Sequence, residues 1–184
     1  MGGHRIKLTE HIAKPSARPR PPFLAPKGTR NLALNKPVTS KDDFPVAGQL
    51  QQITDGKKGC RKECLVELHP GKQWAQVDLQ DRWDIHAVLV WHDHGTRSVY
   101  HDIVVQVADD VDCITASRTI YNNDYDNTLS FGAGKDKEYI ESHEGRLIAC
   151  KGVAGRYVRL YSNGSTAGKE NHYAEVEVYA TPAK

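Results

Sequence analysis

The chain has 184 residues, 26% of them charged and 39% hydrophobic, with a formal net charge of +2. That length accommodates one well-cored domain plus an appendage, and no apolar run approaches the roughly 20 residues a membrane-crossing helix needs. Seven basic residues (Arg5, Lys7, Lys14, Arg18, Arg20, Lys27, Arg30) stand against Glu10 in the first thirty, so the remainder is net acidic. An acidic body without a basic patch interleaved with aromatics argues against a nucleic-acid partner.

Residues 1–29 read as a proline-rich basic arm, with Pro15, Pro19, Pro21, Pro22 and Pro26. Proline removes donors and fixes φ, so this stretch forms neither helix nor central strand. It is expected to be extended and without a core of its own. Two readings stand: a solvated basic arm, or an arm docked on an acidic surface, either a partner's or this domain's. Order in such a tail requires something to hold it. The start, MGGHRIKLTEHIAK, has no apolar h-region, so no signal peptide is visible; this fits a cytoplasmic chain or a mature form.

The domain is expected over residues 30–181. Asn31–Ser40 opens it, with Pro37 suited to an edge or strand start. Asp55-Gly56 signals a turn. Trp74–Leu79 alternates, with Ala75, Val77 and Leu79 inward. Ala87–Trp91 is a continuous apolar run, as in a strand buried on both faces. Ile103–Ala108 alternates again, with Ile103, Val105 and Val107 on one face. Between these two strands lies a polar loop, His92-Asp93-His94-Gly95-Thr96-Arg97, followed by Tyr100, His101 and Asp102. Donors, acceptors and a ring on a rigid strand pair make a platform for a ligand. Asp109–Asn127, ending in the polar run Tyr121–Asn127, reads as a surface excursion. Arg146–Cys150 and Arg156–Tyr161 are further strands. Tyr173–Tyr179 closes the domain, with Val176 and Val178 inward and Glu175 and Glu177 opposite. Many short strands, no long amphipathic helix and no internal repeat define an all-β sandwich.

The four cysteines, Cys60, Cys64, Cys113 and Cys150, form no CxxC, CxxCH or zinc-ribbon spacing. The preferred pairing is Cys60–Cys64, which closes a small loop, and Cys113–Cys150, which flank strands. Free buried thiols are the alternative. Either bridge favours an extracytoplasmic setting, periplasmic or secreted.

Four blocks occur in order: Asn31-Leu-Ala-Leu-Asn-Lys-Pro-Val-Thr-Ser; Ile53-Thr-Asp-Gly; Trp74-Ala-Gln-Val-Asp-Leu; and Gly155-Arg-Tyr-Val-Arg-Leu followed by Glu175-Val-Glu-Val-Tyr. Together, over about residues 31–180, they resemble the discoidin family, meaning the coagulation factor V/VIII type C domains, the fucolectins and related galactose-binding-like modules. The resemblance implies an eight-stranded antiparallel jelly-roll β-sandwich whose variable loops bind sugars, phospholipids or proteins. It also implies a structural calcium between the Asp-Gly turn and the last strand. Asp55 and Glu175 would supply carboxylates, and Gln52, Lys57 and Ala174 main-chain carbonyls, matching calcium's preference for oxygen ligands. Lys57 stands where the family often has asparagine. In fucose-binding members a histidine and two arginines gather the sugar hydroxyls. Arg97 falls at one arginine position, His92 occupies the other, and His69 on the preceding loop would supply the histidine. Tyr100 would stack on the sugar, while Trp91 is assigned to the core.

His92 and His94, with His101, Asp93 or Asp102, also form a candidate zinc or copper set. The alternative is a loop whose imidazoles hydrogen-bond carboxylates. Enzyme signatures are missing. GSTAGKE at Gly164–Glu170 is a residue short of a phosphate loop and carries Glu170 where magnesium needs Ser or Thr. No HExxH, GxSxG, haem or nucleotide motif is present. Asn163-Gly164-Ser165 is a glycosylation sequon. The sequence therefore reads as a non-catalytic carbohydrate-recognition module that uses His69, His92, His94, Arg97 and Tyr100. Its rival is an interaction subunit of a larger extracytoplasmic assembly, docked through the arm.

Overall fold

The computed structural model describes residues 6–59 and 61–183. Nine strands follow in chain order: β1 (Arg30–Asn31), β2 (Val38–Ser40), β3 (Val66–Leu68), β4 (Gln73–Trp91), β5 (Val104–Ala108), β6 (Arg118–Asn122), β7 (Arg146–Ser162), β8 (Asn171–Tyr173) and β9 (Glu175–Pro182). The main sheet runs β1-β9-β4-β7-β5-β6, with β2 also on β4, and β3 pairs with β8; the ladders are antiparallel.

Two long strands carry the architecture. The N-terminal half of β4 pairs with β2 and the C-terminal half of β7; its other half pairs with β9 and the start of β7. Each therefore fuses two strands that the sequence separates. The fusion is accommodated by register shifts between Asp78 and Trp83 and between Ile85 and Ala87, where the chain bends. Gln80 takes a left-handed φ of 68° there, its amide donating to Asp78 Oδ1 at 2.7 Å.

The inward residues are those the alternation marks: Ala75, Val77 and Leu79 on β4, Val105 and Val107 on β5, Val158 and Leu160 on β7, Val176 and Val178 on β9. Each buried valine or leucine contributes about 1.5–3 kcal/mol. A second cluster, Leu65, Leu89, Trp91 and Ala174 with Leu147 and Tyr179, lies apart from the first. The arm closes over part of it, as Pro21, Pro22 and Phe23 share a cavity with Leu89, Leu147 and Tyr179. This explains a strand at Ala87–Trp91 that is apolar at every position.

The arm thus docks on its own domain. Ile12 is buried and bridges Glu138 in parallel, and the Ala13 amide donates to the Glu138 carbonyl at 2.8 Å. Farther along, the Arg20 amide donates to both Glu144 carboxylate oxygens at 3.0 and 3.1 Å.

Trp91 donates its indole N–H to the His143 carbonyl at 3.0 Å, and Gly145 lies against its ring. A Cβ at Gly145 would come 2.5 Å from Trp91 Cε2, at a φ of 66°. Gly145→Ala is therefore expected to lower stability by about 1–3 kcal/mol, read as a reduced urea midpoint.

Two expectations are corrected. Tyr121–Asn127 is not a surface excursion throughout: β6 pairs with β5, and Tyr121, Asn123 and Asp124 are buried. The polar side chains conceal this because they satisfy buried backbone, as when Asn123 Oδ1 accepts the Ile103 amide, twenty residues away, at 2.7 Å. The Cys113–Cys150 bridge is also absent. Both thiols are free, Cys150 donating to the Ile85 carbonyl from within β7 and Cys113 lying in the loop after β5. Burial pushes the Cys150 thiol up to about 11 and raises Cys113 as well, which disfavours the thiolate in both. Cys64 is free, and its expected partner Cys60 lies outside the described residues.

Candidate binding site

The loop between β4 and β5 was the expected platform, and the structure divides it. His92 is 1% exposed, with Nδ1 2.7 Å from Oε1 of the buried Glu141. Its ring stacks on Tyr100 at 4.4 Å. Tyr100 is 3% exposed, its hydroxyl 3.0 Å from His172 Nδ1, and burial raises the phenol far above its ordinary range. His92 and Tyr100 are therefore core groups, which corrects their assignment as sugar contacts. Among the described residues, the ligating side chains that converge in a group of three are Asp102, Asp124 and Asp126, and neither His92 nor His94 joins them. His94 is half-buried and bonds the His92 carbonyl; Arg97 is exposed. His69 is exposed, and its Nδ1 hydrogen-bonds to Asp42 Oδ2. Burial raises the Asp42 carboxyl, but the amide and ring of His69 and the Phe44 amide outweigh it and hold the group low.

A few residues farther along, the same loop meets the segments after β6 and β7. The His101 amide donates to the Gly164 carbonyl at 3.0 Å, and the Asn163 amide to the His101 carbonyl at 3.1 Å. These crossings frame a cavity of about 460 Å³, lined by His101, Asp102, Asn163, Tyr125, Asp126 and Thr128, with Asn123 and Glu138. Asp102 takes a left-handed φ of 54°, tolerated by a short polar side chain, and Oδ2 accepts the Asn163 amide group at 2.8 Å. Burial raises its carboxyl, Asp124 and Asp126 add to the rise, and the Asn163 hydrogen bond opposes it. His101 lies 3.3 Å from Glu138 Oε1, and that hydrogen bond holds its imidazolium to higher pH against the effect of burial.

Asp124 is fully buried and receives the Thr128 and Leu129 amides at 2.9 and 2.8 Å. The Thr128 hydroxyl and amide bond Asp126 and hold its carboxyl low. One oxygen from each of Asp102, Asp124 and Asp126 lies within 4.8 Å of the others. Tyr125 spans cavity and arm, with its ring 4.2 Å from that of His11 and its hydroxyl donating to the Asp136 carbonyl at 2.6 Å. Acceptors, an imidazole, amides and a phenol ring around one space match the hydrogen-bonding of a polyol. Sequence reasoning singled out His101 and Asp102 but missed the rest, because Asn123, Tyr125 and Asp126 lie in the run taken for a surface loop and the others lie far off in sequence.

The residues expected to hold calcium are brought together in part. Glu175 is fully buried; Oε2 accepts the Gly56 amide at 3.0 Å, and Oε1 has no partner. Burial, with Asp55 and Glu177 nearby, pushes its carboxyl up to about 8. Asp55 accepts the Lys57 amide at 2.8 Å and its ammonium at 3.1 Å. Gln52 accepts the Asp55 amide on its main-chain oxygen, and Ala174 donates its own amide to Trp91. An orphaned buried carboxylate oxygen beside a second carboxylate fits a hard divalent cation, while the Lys57 ammonium pairs with Asp55.

No family model matches the sequence, and no curated protein does. Solved structures match in shape. Chitosan-binding module 1 of a chitosanase/glucanase from Paenibacillus sp. IK-5 is 20% identical over 82% of this chain and 98% of its own, with a TM-score of 0.58. A fucose-binding module of Streptococcus pneumoniae, SpX-3, is 18% identical over 83% and 98%, with a TM-score of 0.59. The CBM32 of AlyQ, solved with 4,5-unsaturated mannuronic acid, is 14% identical over 77% and 92%, with a TM-score of 0.55. The class defined is a galactose-binding-like β-sandwich, the discoidin fold. It agrees with the resemblance carried by the four sequence blocks.

Proposed function

We propose that the chain is a non-catalytic carbohydrate-binding module whose ligand occupies the cavity between Asp102, Tyr125 and Asn163. The observation that carries this reading is the ring of acceptors and donors in one 460 Å³ space on a fold shared with sugar-binding modules. Four carboxylates with one imidazole favour a neutral or amino sugar over an acidic one. His94, Arg97 and the exposed His69 stand as contacts for an extended saccharide. A structural calcium at Glu175 and Asp55, with the carbonyls of Gln52, Lys57 and Ala174, completes the proposal.

The arm's docking on its own domain supports a binding module over a subunit whose arm reaches a partner. An extracytoplasmic location follows from the ligand class; the free Cys113 and Cys150 lend it no support, and no described helix is long and apolar enough to cross a membrane.

Isothermal titration against a panel of neutral, amino and acidic monosaccharides tests the site. Neutral or amino sugars are expected to bind, and Asp102→Asn to weaken them about tenfold or more, as expected for a hydrogen bond to a charged group. No heat at millimolar sugar, or equal affinity in the variant, rejects the assignment.

A further inference from the structure

The arm and the domain enclose a second cavity, of about 320 Å³, unlike the first in charge. Lys14, Ser16 and Arg20 come from the arm, and Ser142, Glu144 and Arg146 from the approach to β7 and its first residue. Three cations therefore face one carboxylate, and Glu144 already accepts the Arg20 amide on both oxygens. Neither guanidinium forms an ion pair among the described residues. Arg20 Nη1 and Arg146 Nε are both buried and without a hydrogen-bond partner. Both residues line this cavity, and a buried donor without a partner is costly until an acceptor reaches it.

Arg146 is held in place for this. Its guanidinium carbon lies 4.9 Å from the centroid of the Tyr139 ring and 5.5 Å from that of Tyr121. Stacking fixes the plane of the fork. Arg20 lines the same cavity from an arm whose prolines limit its backbone freedom.

We propose that this cavity is a second binding site, which takes an oxyanion carried by a saccharide, either the carboxylate of a uronate or a sulfate ester. Such a group accepts from two guanidinium donors at once, and the serine hydroxyls beside them suit its sugar. The site is independent of the rim cavity, whose acidic lining disfavours an anion.

The test is NMR titration of the full chain, read at the arginine Nε–H resonances. Glucuronate, glucose 6-sulfate, inorganic sulfate and glucose are added in turn. The Arg146 Nε–H signal is expected to shift with glucuronate or the sulfate ester, more weakly as salt rises, and not with glucose. Tighter binding of one names the carboxylate or the sulfate as its ligand. Arg20→Gln, on the arm and outside the cores, is expected to weaken binding about tenfold or more. Arg146→Lys keeps the charge but loses the fork, and is expected to weaken it too. Asp102→Asn is expected to leave this affinity unchanged, which separates the two sites. No shift with either acidic sugar, or unchanged affinity in Arg20→Gln, overturns the proposal. Equal affinity for inorganic sulfate and its sugar ester overturns the saccharide assignment.

Discussion

Replacing His92 by alanine is expected to cost about 3–5 kcal/mol of stability, because it leaves the Glu141 carboxylate buried and without its partner. The pair is 2.7 Å apart, with side chains 1% and 0% exposed, and Glu141 Oε2 already lacks a hydrogen bond. The imidazole also fills space between Tyr100 and Tyr173, at ring separations of 4.4 and 5.1 Å. Urea unfolding should show the loss as a lower midpoint, with sugar affinity per folded molecule unchanged. Arg97→Ala, exposed on the same loop, should stay within roughly 0.5 kcal/mol of the parent. Replacing both His92 and Glu141 by leucine should recover most of the deficit, since removing a buried pair together costs little. A stable His92→Ala protein that has lost its sugar would instead place the imidazole at the ligand.

Glu175 supports the second large effect. Its folded carboxyl sits at about 8 against an ordinary 4.5. A raised folded value means the folded state holds the proton more tightly. Without metal, stability is therefore full below pH 4.5, falls as pH climbs from 4.5 to 8, and is level above. The loss at pH 7 is on the order of 3 kcal/mol. Calcium that binds only the folded state offsets it, by about 2.7 kcal/mol at a hundredfold excess over Kd. Thermal scans at pH 7 should show Tm rising with calcium and returning on chelation. Glu175→Gln should flatten the fall between pH 4.5 and 8 and abolish the calcium response. A wild-type Tm indifferent to calcium would sink the metal site while leaving the pH profile intact.

The strands were legible because their apolar residues alternate with the pleat, as at Ala75, Val77 and Leu79 or at Val176 and Val178. The calcium region was legible through the Asp-Gly turn and the closing strand; strand alternation alone gave no sign that Glu175, opposite the inward valines, is buried against Gly56. His92 was misread because polarity marks a residue as functional only when its partner is unknown, and Glu141 lies 49 positions away. Asp124 was misread for the opposite reason. Its carboxylate serves amides four and five residues on, so a buried anchor looks like loop chemistry. The arm's basic charge and prolines were plain, but its hold on the domain runs through backbone amides, Ala13 to the Glu138 carbonyl and Arg20 to the Glu144 carboxylate, which composition does not reveal.

Lys14, Arg18 and Arg20 are each followed directly by proline. Proteases that cut after basic residues handle such bonds poorly, since the tertiary amide has no N–H and its ring crowds the scissile carbonyl. Between Lys7 and Lys27 the chain therefore offers trypsin-like enzymes no good cleavage point. A segment that carries Lys14 and Arg18 exposed and Arg20 half-buried keeps these heads without becoming a substrate for the enzymes that seek them.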